Sequence, residues 1–346
     1  MQGSRIYSDF DSEIAWISGQ VARDVQSLDP SVRSLARFYT QVRLRVLQGG
    51  RADWVIERRM GRLIPYVAFW FSDALGLTNS RLRRLSGLSL VYNAITIAFR
   101  DDIADSASTN KSGLEGQQQF WAGRFAETLA EIFPDERAFR KAAASGEAEY
   151  RKYERWQSSP LAATQLRPFS AGFLAESTRG TVACILPSLV AIAHAAGRKK
   201  DVPRIERFLW EYSMAWRIFD DLMDWEEDLG VKDMNRSSVL MYVGNKIGHK
   251  QPVDRLDVLS WFLSEKFVED AYGTMIGYFS KARSTVASFG SPYLDEFMKE
   301  EISFQIDKRK EILTSASLTI SDLGEGITSV LGHANSSTPP KRESHR

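Results

Sequence analysis

Cysteine is almost missing from this chain: Cys184 is alone among 346 residues. No disulfide can close within it, and the composition suits a reducing compartment. Set in an apolar run, Cys184 reads as a small core residue rather than a nucleophile. A surplus of one charge is missing too, with 45 Lys and Arg against 44 Asp and Glu. No global field favours a polyanion, so nucleic acid is not an expected partner. The N-terminal stretch 1–20 lacks the charged-then-apolar order of a secretion signal. The longest apolar run, 182–196, is shorter than the roughly 20 residues of a membrane-spanning helix and contains Pro187 and His194. The expectation is a soluble, cytoplasmic protein with no stable membrane insertion. Strand-like alternation is absent, as are internal repeats of roughly 20–50 residues.

What is present is helical periodicity and aromatic content. The chain has 9 Trp, 19 Phe and 11 Tyr, which usually build cores and also line pockets for apolar or cationic ligands. Residues 10–48 read as one or two amphipathic helices ending at Gly49-Gly50. Helices are expected over 54–76, 80–105, 117–132, 136–156, 170–196 and 203–229. The stretches 106–116 and 230–255 read as loop or polar connection, and Thr178-Arg179-Gly180 as a local irregularity. Further helices are expected at 257–288, 292–313 and 320–331. The fold class is therefore all-α, a single large helical bundle over 1–333, with 334–346 as a disordered tail.

Two acidic motifs interrupt apolar helices. Phe219–Asp228 packs six carboxylates into ten residues. On a helix, Asp220, Asp224, Glu227 and Asp228 share a face, where like charges repel. Asp101-Asp102-Ile103-Ala104-Asp105 repeats the DDxxD pattern. One such motif alone is as well read as a solvated helix face. Two, each following an apolar helix segment, point to a cavity lined by carboxylates from two sides. Carboxylates one turn apart suit hard cations, and Mg2+ takes one or two of them together with phosphate oxygens of a substrate. Such a clamp would neutralise a departing diphosphate. A di-iron bundle would need Glu-x-x-His pairs, and His194, His249, His333 and His345 all lie away from the motifs. Glu227 is a further candidate ligand, whereas Glu226 and Asp228 read as solvated.

At these residues the chain resembles the trans-isoprenyl diphosphate synthase family, over most of 50–310. Gly61-Arg62-Leu63-Ile64-Pro65 is similar to its GGKRxRP segment, and Asp101–Asp105 to its first aspartate-rich motif. Thr178-Arg179-Gly180-Thr181 falls where the family has a Lys-Thr pair. Trp216–Asp224 resembles FQxxDDxxD. The resemblance implies a bundle with a central cavity, a homodimer and a cluster of three Mg2+. Asp101, Asp102, Asp105, Asp220, Asp221 and Asp224 would be catalytic, with Asp101, Asp105, Asp220 and Asp224 as metal ligands. Arg179, Lys232, Arg236 and Arg62 would hold diphosphate. Phe69, Tyr92, Phe99, Trp216 and Phe219 would shape the pocket and face a carbocation with their rings.

The departures direct the functional expectation. Only Arg62 and Pro65 match in the first segment, the Arg pair after the first motif is replaced by Ser106–Lys111, and Trp216-Arg217 replaces Phe-Gln. In the family the basic residues of the first segment bind the non-allylic diphosphate. Their loss leads the reading to a Mg2+-dependent class I terpene synthase. It would ionise a linear allylic diphosphate, farnesyl, geranylgeranyl or longer, and cyclise or rearrange the cation. The alternative is a prenyltransferase on the same scaffold, using isopentenyl diphosphate or an aromatic acceptor. A third reading is a non-catalytic regulatory subunit of a prenyl synthase. Arg217, one turn before Asp221, is also placed to pair with an acidic neighbour.

Overall fold

A computed structural model describes residues 5–38, 60–105, 111–133, 135–157, 167–229, 237–248, 253–262 and 264–336. The α-helices are α1 Arg5–Ser8, α2 Asp11–Ser27, α3 Pro30–Phe38, α4 Met60–Ala74, α5 Ser80–Asp105, α6 Lys111–Ile132, α7 Glu136–Gln157 and α8 Ala171–Ala195. They continue with α9 Val202–Met223, α10 Trp225–Leu229, α11 Ser238–Ile247, α12 Arg255–Phe262, α13 Glu265–Ala287 and α14 Pro292–Ser336. Among the described residues there is no strand, as the 3.6-residue periodicity predicts.

Helix α8 is the hub. It packs against α5, α7 and α9, and its whole central stretch from Val182 to Leu189 is buried. Ser170 caps its N-terminus by accepting the Phe173 N–H. It is long and apolar enough to cross a membrane, but 72% of its most apolar window is buried inside the bundle. Cys184 lies here, buried, with its thiol pushed up to about 12 by desolvation and then by the charge of Asp101. The expected irregularity at Thr178–Gly180 is not seen; α8 runs through it.

Two glycines let α7 and α8 approach closely. A side chain at Gly146 would meet Pro187 Cγ at 2.8 Å, and one at Gly180 would meet the Tyr153 ring at 2.9 Å. Each helix thus offers a glycine to a bulky ring of the other. Helix α5 is tied to α8 by Ser89 Oγ to Ser188 Oγ at 2.8 Å and by Asn93 donating to the Cys184 carbonyl at 2.6 Å.

Much of the aromatic content is core. Trp70 of α4 lies 4.6 Å, ring to ring, from Phe297 of α14; Tyr212 of α9 is 5.6 Å from Phe297 and 5.5 Å from Phe279 of α13. These rings join four helices at their point of convergence.

Further expectations are corrected, and the stretch 257–288 holds two helices, α12 and α13, instead of one. The 106–116 loop is shorter, because α6 begins at Lys111; residues 106–110 lie outside the described ones. The stretch read as a polar connection, 230–255, contains α11, whose segment Ser238–Gly244 is buried. Its apolar run is short and flanked by polar residues, which hid it. Gly248, at φ +82°, ends it in the left-handed region. The two helices expected beyond 292 are one, α14, which reaches into the start of the expected tail; 337–346 lie outside the described residues. The helix expected over 203–229 breaks at Asp224, whose φ −107° and ψ 9° leave helical geometry. The break falls where acidic side chains one turn apart would otherwise stack.

Candidate active site

The first motif ends α5. Asp101 and Asp102 are half-buried. Tyr150 of α7 directs its hydroxyl at Asp101 Oδ1 across 3.5 Å. Burial, and then the charge of Asp101, raises the pKa of that phenol, so it stays protonated. Arg100 lies over the Tyr150 ring at 4.4 Å and reaches Glu147 at 3.3 Å. Asp105 closes the last turn of α5; its side chain is outside the described residues, as is that of Glu227.

The second motif ends α9, and its three aspartates stand in three environments. The side chain of Asp220 is 52% exposed. Asp221 is buried, 1% exposed, and its Oδ2 accepts the Ser238 N–H at 2.8 Å and the Ser238 hydroxyl at 2.5 Å. Asp224 is exposed at the helix break, where its N–H donates to the Asp220 carbonyl at 2.9 Å. Arg217 spans the first two: Nη2 is 2.6 Å from Asp221 Oδ1 and Nη1 is 3.5 Å from Asp220 Oδ2. Burial works against the guanidinium charge, but Asp221 and then Asp220 outweigh it and hold its pKa above the ordinary value. Glu226 is exposed and pairs with Arg255 at 2.7 Å.

The helices that end in the two motifs, α5 and α9, both pack against α8. Tyr150 and Tyr153 stand one turn apart on α7. The first is directed at Asp101. Ser238 carried no signal at all, because its partner is 17 positions upstream in sequence.

The remaining candidates separate. Arg179 is fully engaged: it forks onto Glu176 with two contacts of 2.8 Å, bonds Glu149, and lies 5.7 Å over Trp210. Its charge is matched twice within the protein. Arg62 lies on α4 with its side chain outside the described residues, and Lys232 and Arg236 are outside them altogether. Phe69 is fully buried and stacks on Phe10 at 5.3 Å. Tyr92 is fully buried and bonds Asp24, which Arg124 also holds at 3.0 Å. These two rings seat the N-terminal helices on the bundle instead of standing beside the aspartates. Phe99 is fully buried, two residues before Asp101. Trp216 donates its indole N–H to Tyr212 and meets Phe219 edge-on at 5.1 Å, so this pair adjoins the second motif.

Asp101, Asp102, Asp220 and Asp224 fit a hard cation: they are oxygen donors, half-buried to exposed, with no thiolate or imidazole among them. Asp221 does not fit, since it is buried with Ser238 donating twice to one oxygen and Arg217 ion-paired to the other. Among the described residues, no three His, Cys, Asp or Glu side chains are gathered into a metal-binding group.

No family model matches the sequence, and no curated protein matches it. The fold is similar to solved structures. A polyprenyl synthase from Roseobacter denitrificans shares 14% identity at a TM-score of 0.61, covering 88% of this chain and 98% of its own. A geranylgeranyl pyrophosphate synthetase from the archaeon Geoglobus acetivorans shares 16% at 0.62, covering 87% and 99%. A geranylgeranyl pyrophosphate synthase from Lactobacillus brevis shares 13% at 0.63, covering 88% and 98%. At these identities the likeness establishes the all-α isoprenyl synthase fold.

Proposed function

We propose that this chain, having the fold of the prenyl pyrophosphate synthases, acts on an allylic prenyl diphosphate and transfers its prenyl group to a second substrate. The observation that carries the reading is that the two helices ending in acidic motifs, α5 and α9, both pack against α8. Carboxylates from two helix ends would then face one diphosphate. Asp101, Asp105, Asp220 and Asp224 would hold Mg2+, with Asp102 alongside. Bound there, Mg2+ would supply Lewis-acid neutralisation of the leaving diphosphate. The chain's own part is to place those carboxylates and to keep Tyr150 protonated as a donor toward Asp101. Trp216 and Phe219, adjoining the second motif, present ring edges and faces to the start of the prenyl chain.

The sequence expectation put cyclisation first; the fold of the similar structures supports prenyl transfer better. Cyclisation stands as the second reading on one observation. Arg179, the candidate for holding a diphosphate, is taken up by Glu149 and Glu176.

The test is product analysis with purified protein, Mg2+ and geranyl, farnesyl or geranylgeranyl diphosphate, with and without isopentenyl diphosphate or an aromatic acceptor. A longer diphosphate or a prenylated acceptor supports transfer. Hydrocarbon or alcohol from the allylic substrate alone supports cyclisation and sinks transfer. No turnover in any combination sinks both and points to a regulatory subunit.

A further inference from the structure

Arg217 is built into the second acidic motif. It sits three and four residues before Asp220 and Asp221, so all three side chains share a helix face. One nitrogen of its guanidinium is 2.6 Å from Asp221 and another is 3.5 Å from Asp220. Only 21% of the side chain is exposed. Asp221 Oδ2 accepts two hydrogen bonds, from the Ser238 N–H and the Ser238 hydroxyl, while its Oδ1 faces the guanidinium as an ion pair. An arginine keeps its charge at any pH a protein survives. The motif therefore carries a permanent positive charge in contact with two of its three aspartates.

We propose that Arg217 is a resident cation of the second motif, which removes Asp221 from metal coordination and weakens divalent binding at Asp220 and Asp224. The inference rests on the diphosphate-and-Mg2+ reading above and deepens it. The second motif would then take divalent cations weakly until diphosphate adds its own negative charge.

The test uses the full chain with Mn2+ as the probe and inorganic pyrophosphate as the anion, reading free Mn2+ by electron paramagnetic resonance. Arg217→Gln should tighten Mn2+ binding on the order of tenfold, the scale on which a nearby cation moves a carboxylate equilibrium. Arg217→Lys, which keeps the charge, should stay near wild type. Arg217→Gln leaves Asp221 buried without its counter-charge. The double change Arg217→Gln with Asp221→Asn removes both charges together and should still bind Mn2+ more tightly, through Asp220. Equal or weaker Mn2+ binding in both neutral variants, with wild type binding Mn2+ and pyrophosphate, would overturn the proposal alone. A wild type that binds neither overturns the functional reading and the proposal with it.

Discussion

Asp221 and Ser238 join the end of one helix to the start of another: the carboxylate accepts both the backbone N–H and the hydroxyl of Ser238, at 2.8 and 2.5 Å. Residues 230–236 lie between them, so this contact fixes how α11 sits against the second acidic motif. Arg217 completes it from within α9.

Breaking that junction should be costly. Asp221→Ala leaves the Arg217 charge largely buried without its main partner, an effect of about 3–5 kcal/mol. Ser238→Ala removes one hydrogen bond to a charged group and should cost about 1.5–3 kcal/mol. Urea unfolding followed by circular dichroism should rank Asp221→Ala below Ser238→Ala. The reverse order would mean that the charge pair is not what holds the two helices.

The half-buried and exposed aspartates should carry the chemistry. Asp101→Ala and Asp220→Ala should each lower turnover by at least about a hundredfold, the usual scale for losing an electrostatic contribution to a developing anion. Their unfolding midpoints should stay near wild type, because neither carboxylate is deeply buried. Full activity in either variant, in the product assay described above, refutes the assignment of that motif.

Gly87 has no room for a side chain. A Cβ there would lie 2.8 Å from both Ile17 Cδ1 and Phe69 Cζ. Gly87→Ala should therefore destabilise the seat of α2 on the bundle by about 1–3 kcal/mol. Thermal unfolding measures it, and a midpoint unchanged from wild type would mean that α2 simply shifts outward.

The pH dependence of the Arg179 cluster has a definite sign. The hydrogen bond from Arg179 lowers the pKa of Glu176 below its ordinary 4.5; Glu149 is lowered as well, despite burial, by Lys152 and Arg179. Both carboxylates release their protons more readily folded than unfolded. Their contribution is thus complete above the ordinary value and is lost as pH falls through the lowered one. The stability difference between wild type and Arg179→Leu should be present at neutral pH and shrink on acidification below 4.5. A difference that grows in acid contradicts the pairing.

Cys184 should resist thiol reagents at neutral pH in the native state, since it is buried and its thiol is raised to about 12. Labelling should follow the unfolding curve. Rapid labelling under native conditions would mean that α8 opens readily.

The sequence by itself determined the helical class, most helix positions and the two carboxylate motifs, because periodicity and composition are local properties. Helix α5 was legible from end to end, 80–105, with its acidic motif at the last turn. Arg217 could be matched to Asp221 because four residues on a helix is one turn. Only the tertiary structure decided which aspartate is spent on protein contacts, for that depended on Ser238 arriving from a helix that looked like polar connection. It also decided that Phe69 and Tyr92 serve the N-terminal helices and that Arg179 is neutralised. A side chain's partners come from other helices, and the identity of its sequence neighbours does not encode them. The helices that end in the two motifs, α5 and α9, both pack on α8, and α7 approaches α8 closely at Gly146 and Gly180. That is a packing fact to which the two acidic motifs contribute nothing.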